Sequence, residues 1–143
     1  MGNYFECKIR YEKTLENGLA KKVTEAYIVE AMTFTEAEGR IVREISPFIR
    51  GEYTITDIKR SAFAEIFKSA KDKDDKYFKC KLNFVTLDEK SGEEKKTAVT
   101  YLVEAADLRM AVKYLDENMK GSMADYQIAS MAETSYMDVF DGL

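Results

Sequence analysis

Two stretches of this sequence, YFECKIRY from Tyr4 and YFKCKLNF from Tyr77, set aromatic and basic side chains at alternate positions. On an extended backbone, successive side chains leave opposite faces. Tyr4, Lys8 and Arg10 therefore fall on one face of the first stretch, and Tyr77, Lys79 and Lys81 on one face of the second. Rings stack on bases and cations meet phosphates, so such a face suits a single-stranded nucleic acid or a small nucleotide. Lys21, Lys22, Lys95 and Lys96 add positive charge nearby in sequence. The competing reading is a solvated strand face whose lysines discourage edge-to-edge pairing. Glu6, among the cations of the first stretch, favours that reading.

Other residue types offer weaker chemistry. Glu30 matches Glu104 and Glu65 matches Asp138 when the two halves are aligned; paired acids of this kind can share a proton or hold Mg²⁺. Strand-end and loop acids are common, and nothing in the spacing demands a site. Cys7 and Cys80 sit within apolar alternation rather than in a CxxC spacing, which reads as small core fillers in a reducing compartment. Met110, Met119, Met123, Met131 and Met137 read as core filling rather than as soft metal ligands. The absence of histidine removes the commonest general base and the Ser-His and Cys-His nucleophile pairs. The glycine-rich phosphate loops, HExxH and calcium-loop patterns are likewise missing. The acidic, aromatic ending MAETSYMDVFDGL resembles the partner-recruiting tails of bacterial single-stranded-DNA-binding proteins. Its alignment with an internal segment argues instead that it is packed, leaving Asp141, Gly142 and Leu143 as a free tail.

The elements that would position these residues are written twice. Tyr4, Phe5, Cys7 and Lys8 correspond to Tyr77, Phe78, Cys80 and Lys81, and YIVEA from Tyr27 to YLVEA from Tyr101. YTITDIKRSAFAEIF from Tyr53 corresponds to YQIASMAETSYMDVF from Tyr126. Each copy opens with period-two alternation, the mark of a half-buried strand. Turns at Asn17-Gly18 and Ser91-Gly92 lead into second strands over about 22–31 and 96–105. The period then becomes helical. Thr33 with Glu36 reads as a capping box and Asp107 as the matching cap. Phe34, Ala37, Ile41, Val42 and Ile45 form the apolar face of the first helix, and Leu108, Ala111, Val112, Leu115 and Met119 that of the second. A third strand and a short apolar extension follow. The expectation is an α+β fold of internally duplicated ββαβ repeats in a pseudo-twofold arrangement, helices packed on antiparallel-rich sheet. Residues 1–67 and 77–143 are the repeats and 68–76 a polar linker, together one compact domain.

The whole chain is of ordinary globular composition: 143 residues, 45% hydrophobic, 34% charged, net charge −4. An acidic balance provides no global field toward nucleic acid or anionic lipid, although a local basic stripe can coexist with it. No run has the length of a membrane span or the order of a signal peptide, which points to a cytoplasmic protein with no membrane partner.

The segments YFECKIRYEKTLENGLAKKVTEAY, TFTEAEGRI, TLDEKSGEEKKT and MKGSMADYQIASMAETSYMDVF resemble an uncharacterised domain family of Bacteroidetes and their phages. The resemblance implies an intracellular setting linked to phages or mobile elements; it brings no activity and no site residue. The functional expectation is a non-enzymatic binding module for a nucleotide-bearing ligand. That ligand is a single-stranded nucleic acid or a small nucleotide signal sequestered by a phage-type protein, held without a cofactor. The alternative is a structural or adaptor protein that self-assembles as a homo-oligomer and binds only protein. A carboxylate and Mg²⁺-dependent enzyme is a third, weaker expectation.

Overall fold

A computed structural model describes residues 3–122 and 124–142. The first strands, β1 (Asn3–Thr14) and β2 (Ala20–Ala31), form an antiparallel hairpin, followed by helix α1 (Phe34–Ile45), a 3₁₀ turn at Ser46–Phe48 and strand β3 (Tyr53–Ser61). Strand β4 (Phe63–Phe67) comes one residue later. The second half repeats the order as β5 (Lys76–Leu87), β6 (Glu94–Ala105), α2 (Leu108–Asn118), β7 (Asp125–Glu133) and β8 (Tyr136–Phe140). The chain is thus α+β and duplicated, as the repeats predict. The register shows the equivalence residue by residue: Cys7 lies opposite Tyr27, and Cys80 opposite Tyr101.

Local chemistry explains the elements. Gly18 and Gly92 take φ of 82° and 71°, where a side chain would be strained, and so close the two hairpin turns. Thr33 Oγ1 accepts from the Glu36 N–H at 3.1 Å while the Glu36 carboxylate accepts from the Met32 N–H at 2.9 Å. In α2 the cap is Asp107, whose Oδ1 accepts from the Met110 N–H at 2.8 Å. The buried helix stripes are narrower than the sequence suggests. They comprise Ala37, Ile41 and Ile45 in α1 and Ala111 and Leu115 in α2, whereas Phe34, Val42 and Leu108 are exposed.

The chain forms two compact units, residues 1–61 with 135–143 and residues 62–134. They do not coincide with the sequence repeats, because each repeat's last strand joins the sheet of the other unit. The first sheet has the order β3-β1-β2-β8 and the second β4-β6-β5-β7. Reach dictates this exchange. In a three-stranded β3-β1-β2 arrangement the vacant position beyond β2 lies three strand spacings from β3, roughly 14 Å. A single connecting residue, Ala62, spans at most about 7 Å from Ser61 to Phe63. The strand after β3 therefore cannot fill its own sheet. In the same way Thr134 and Ser135 are too short, at about 10 Å, to carry β8 round to β6.

In the first unit α1 covers one face of the sheet over Phe5, Cys7, Ile9 and Val29. In the second, α2 covers Phe78, Cys80, Leu82 and Val103. Burial is not confined to that side. On the opposite face Ile28 and Val139 in the first unit, and Tyr77 and Leu102 in the second, are also buried. Edge strands β3 and β7 each carry a bulge at the equivalent place, opposite Lys8/Ile9 and Lys81/Leu82. Such bulges twist an edge away from further pairing. Segment 68–76 is not simply a solvated linker: its Asp74 is buried and bonded to Ser69 and Tyr114.

Candidate functional site

The six side chains singled out by pattern lie on the sheet faces opposite the helices, three in each unit. In the second unit Lys79 and Lys81 are exposed on β5. Lys81 has Thr100 and Ser130 as its strand neighbours, and Lys79 has Leu102 and Ala132. None of these neighbours is charged, and among the described residues no salt bridge involves either lysine. Lys79 Nζ lies 5.7 Å from the centroid of the Phe63 ring, a cation–π contact.

Tyr77 corrects the sequence reading. It is 2% exposed, with its backbone carbonyl accepting from the Thr134 N–H and hydroxyl, so its ring is not an open stacking platform. Its burial accords with that of Leu102, one register pair away on the same face, although Lys79 and Lys81 on that face remain exposed. Phe63, on the neighbouring strand, is closed as well, at 8% exposure.

The equivalent face of the first unit is differently charged. Glu6 occupies the position of Lys79, accepts from the Tyr136 hydroxyl at 3.0 Å and pairs with Lys59 at 3.9 Å. Lys8 is half-buried with Asp57 as its β3 neighbour, and Tyr4 is half-buried. Arg10 is exposed between Thr24 and Thr54 and, with Lys22, lines a cleft of about 490 Å³ that also holds Glu12 and Glu52. Mixed charge makes this cleft a poorer anion site than the lysines of β5.

The matched carboxylates have a structural task. Glu30 Oε1 accepts from the Gly142 N–H and Glu104 Oε1 from the Ser69 N–H, each at 2.8 Å. Both residues receive the backbone that leaves an exchanged strand. Glu65 and Asp138 are exposed. Arg40, which sequence reasoning missed, completes the first of these clamps by donating to the carbonyls of Asp141, at 2.8 Å, Gly142 and Glu30. Asp141 and Gly142 are therefore bound and not a free tail; Leu143 lies outside the described residues. Tyr114 stands where Arg40 stands in the first repeat and instead donates to Asp74 Oδ2 at 2.8 Å. The position diverges between repeats, so alignment of the halves could not reveal either role.

Asp74 Oδ2 also accepts from the Ser69 hydroxyl at 2.6 Å. That bond above all, helped by Tyr114, holds the carboxyl below its ordinary value despite burial. The thiols of Cys7 and Cys80 are buried in their respective cores, and burial pushes them up to about 12 and about 11. Neither has the lowered value of a reactive thiolate. Met110, Met119 and Met131 pack against the second core and Met137 is exposed, while Met123 lies outside the described residues. Among the described residues no group of three or more acidic, cysteine or histidine side chains is placed to hold a metal ion, and no helix is long and apolar enough to cross a membrane.

Residues 3–142 match the model of a family described as a domain of unknown function, DUF4494. No curated protein and no solved structure matches the chain.

Proposed function

The chain belongs to the DUF4494 family, and for it we propose a non-enzymatic role as a binding module for a nucleotide-bearing anion, a single-stranded nucleic acid in first place. One observation carries this reading: Lys79 and Lys81 project from alternate positions of β5 with no carboxylate among their register neighbours. Exposed cations without local counter-charges attract phosphates and release counterions on binding. Arg10 supplies a weaker contact on the first unit. With Tyr77 and Phe63 closed, phosphate contact dominates and base stacking contributes little. The setting is an intracellular one, linked to phages or mobile elements.

Fluorescence anisotropy with a labelled single-stranded oligonucleotide, read across a salt series, tests the proposal. Affinity should fall linearly in log-log form. Lys79→Glu with Lys81→Glu should weaken binding at low salt and flatten the slope by about 1.4, the share of two phosphate contacts on a single strand. Unchanged affinity in that variant would remove the face from consideration. Binding of a mononucleotide with a shallow salt dependence would favour the small-nucleotide version. A concentration-dependent mass with no affinity for either would favour the self-assembling alternative.

A further inference from the structure

Lys81 sits in a polar patch that extends beyond the two lysines. On the face opposite α2, Thr100 and Ser130 flank Lys81, and two residues further along β5 Asn83 has Gln127 as its β7 neighbour. Asn83 and Thr100 are half-buried, while Gln127 and Ser130 are exposed. Among the described residues none of these four side chains forms a hydrogen bond.

Gln127 reaches this face only through the bulge in β7. It lies three positions from Ser130, so regular alternation would send the two side chains to opposite faces. The register shift between Lys81 and Leu82 takes up one extra β7 residue, Ala129, and brings both onto one face. Ile128 and Met131 thereby turn to the helix-side core. The first repeat has the same bulge but different chemistry, with Arg10 opposite Thr54 and Lys8 opposite Asp57. Paired amides are thus a feature of the second unit.

A carboxamide offers a donor and an acceptor side by side, the pattern that adenine returns from N6 and N7. Residues directly opposite each other on neighbouring strands hold their Cβ atoms about 5 Å apart, so both amides can engage one base. Same-face positions along β5 are about 7 Å apart, which sets the amide pair next to the phosphate position at Lys81. We propose that Asn83 and Gln127 are the base-reading pair of this face, selecting adenine in a single strand whose phosphates meet Lys79 and Lys81. The inference rests on the anion reading above and supplies discrimination that the closed rings of Tyr77 and Phe63 do not. Thr100 and Ser130 add uncharged hydroxyl donors for the phosphate at Lys81.

Anisotropy titrations of the full-length chain with labelled oligo(dA), oligo(dC) and oligo(dT) of one length test the pair. The wild-type chain should bind oligo(dA) about tenfold more tightly than the other two, the discrimination of a good bidentate contact. Asn83→Ala with Gln127→Ala should bring oligo(dA) to the level of the pyrimidine strands and leave the salt slope unchanged, because no charge is removed. Gln127→Ala alone, at an exposed position, should lose part of the preference with an unaltered circular dichroism spectrum. Equal, salt-dependent affinity of the wild-type chain for all three strands would overturn the base-reading pair and leave the phosphate contacts of Lys79 and Lys81 standing. A preference for either pyrimidine strand, or an adenine preference that persists in both variants, would overturn the pair as well. No binding to any strand would overturn the anion reading and this inference together.

Discussion

Leu102→Ala distinguishes a solvated strand face from the one the structure shows. Leu102 is 0% exposed and lies on the face opposite α2, between Lys79 of β5 and Ile66 of β4. Truncating a fully buried leucine removes its transfer free energy and leaves a cavity, which costs about 2–5 kcal/mol. A value near 3 kcal/mol is expected here, because the side chain is enclosed but its edge-strand neighbour can partly collapse. For a chain of this size that corresponds to a fall in Tm of roughly 6–12 °C. Lys81→Ala, on the same face but exposed, should stay within about 0.5 kcal/mol. Urea unfolding followed by circular dichroism and tyrosine fluorescence measures both. If the two units unfold in separate transitions, Leu102→Ala should move one and the equivalent Ile28→Ala the other. A loss below about 1 kcal/mol for Leu102→Ala, or one no larger than that of Lys81→Ala, would refute the second buried face.

Three other outcomes follow from the same geometry. The buried thiols of Cys7 and Cys80 hold their protons to about 12 and about 11, whereas an unfolded thiol ionises at about 8.5. Their contribution is thus complete below the unfolded value and is lost as pH rises toward the folded ones, at up to about 1.4 kcal/mol per thiol per pH unit. Urea midpoints at rising pH should decline less steeply in Cys7→Ala with Cys80→Ala, and a thiol reagent that labels native protein as fast as unfolded protein would contradict the burial. Asp74 is shifted the other way, chiefly by the Ser69 hydroxyl, so its stabilisation is present above the ordinary carboxylate range and disappears as pH falls through the lowered folded value. Asp74→Asn should lower the urea midpoint at pH 7 and leave it nearly unchanged in strong acid; equal losses at both would exclude the ionised contact. Glu104→Gln should be near neutral because an amide oxygen can still accept the Ser69 N–H, while Glu104→Ala should cost about 1.5 kcal/mol. Equal effects of the two, measured by thermal unfolding, would show that the bond at Oε1 is not what the residue supplies.

The sequence by itself determined the local grammar of this protein. Alternation around Phe5, Cys7 and Ile9 marks a strand, since a side-chain period of two is a property of extended backbone. Thr33 and Asp107 mark helix starts, since orphan N–H groups need an acceptor. Duplication was legible because register equivalence follows from residue equivalence, down to the bulges opposite Lys8 and Lys81. Partner choice was not legible. Phe63–Phe67 and Tyr136–Phe140 read as extensions of their own repeats, yet each strand lies in the other unit's sheet, because a one- or two-residue connection cannot cross three strand spacings. That geometric limit exists only once β1 is known to lie between β2 and β3. The candidate site divides in the same way. Lys79, Lys81 and Arg10 are exposed as alternation predicts, but whether the second face meets water depends on long-range packing that no local period encodes. Hence Tyr77, identical in pattern to an open ring, is closed, and Arg40, unremarked in pattern, holds the backbone beyond β8.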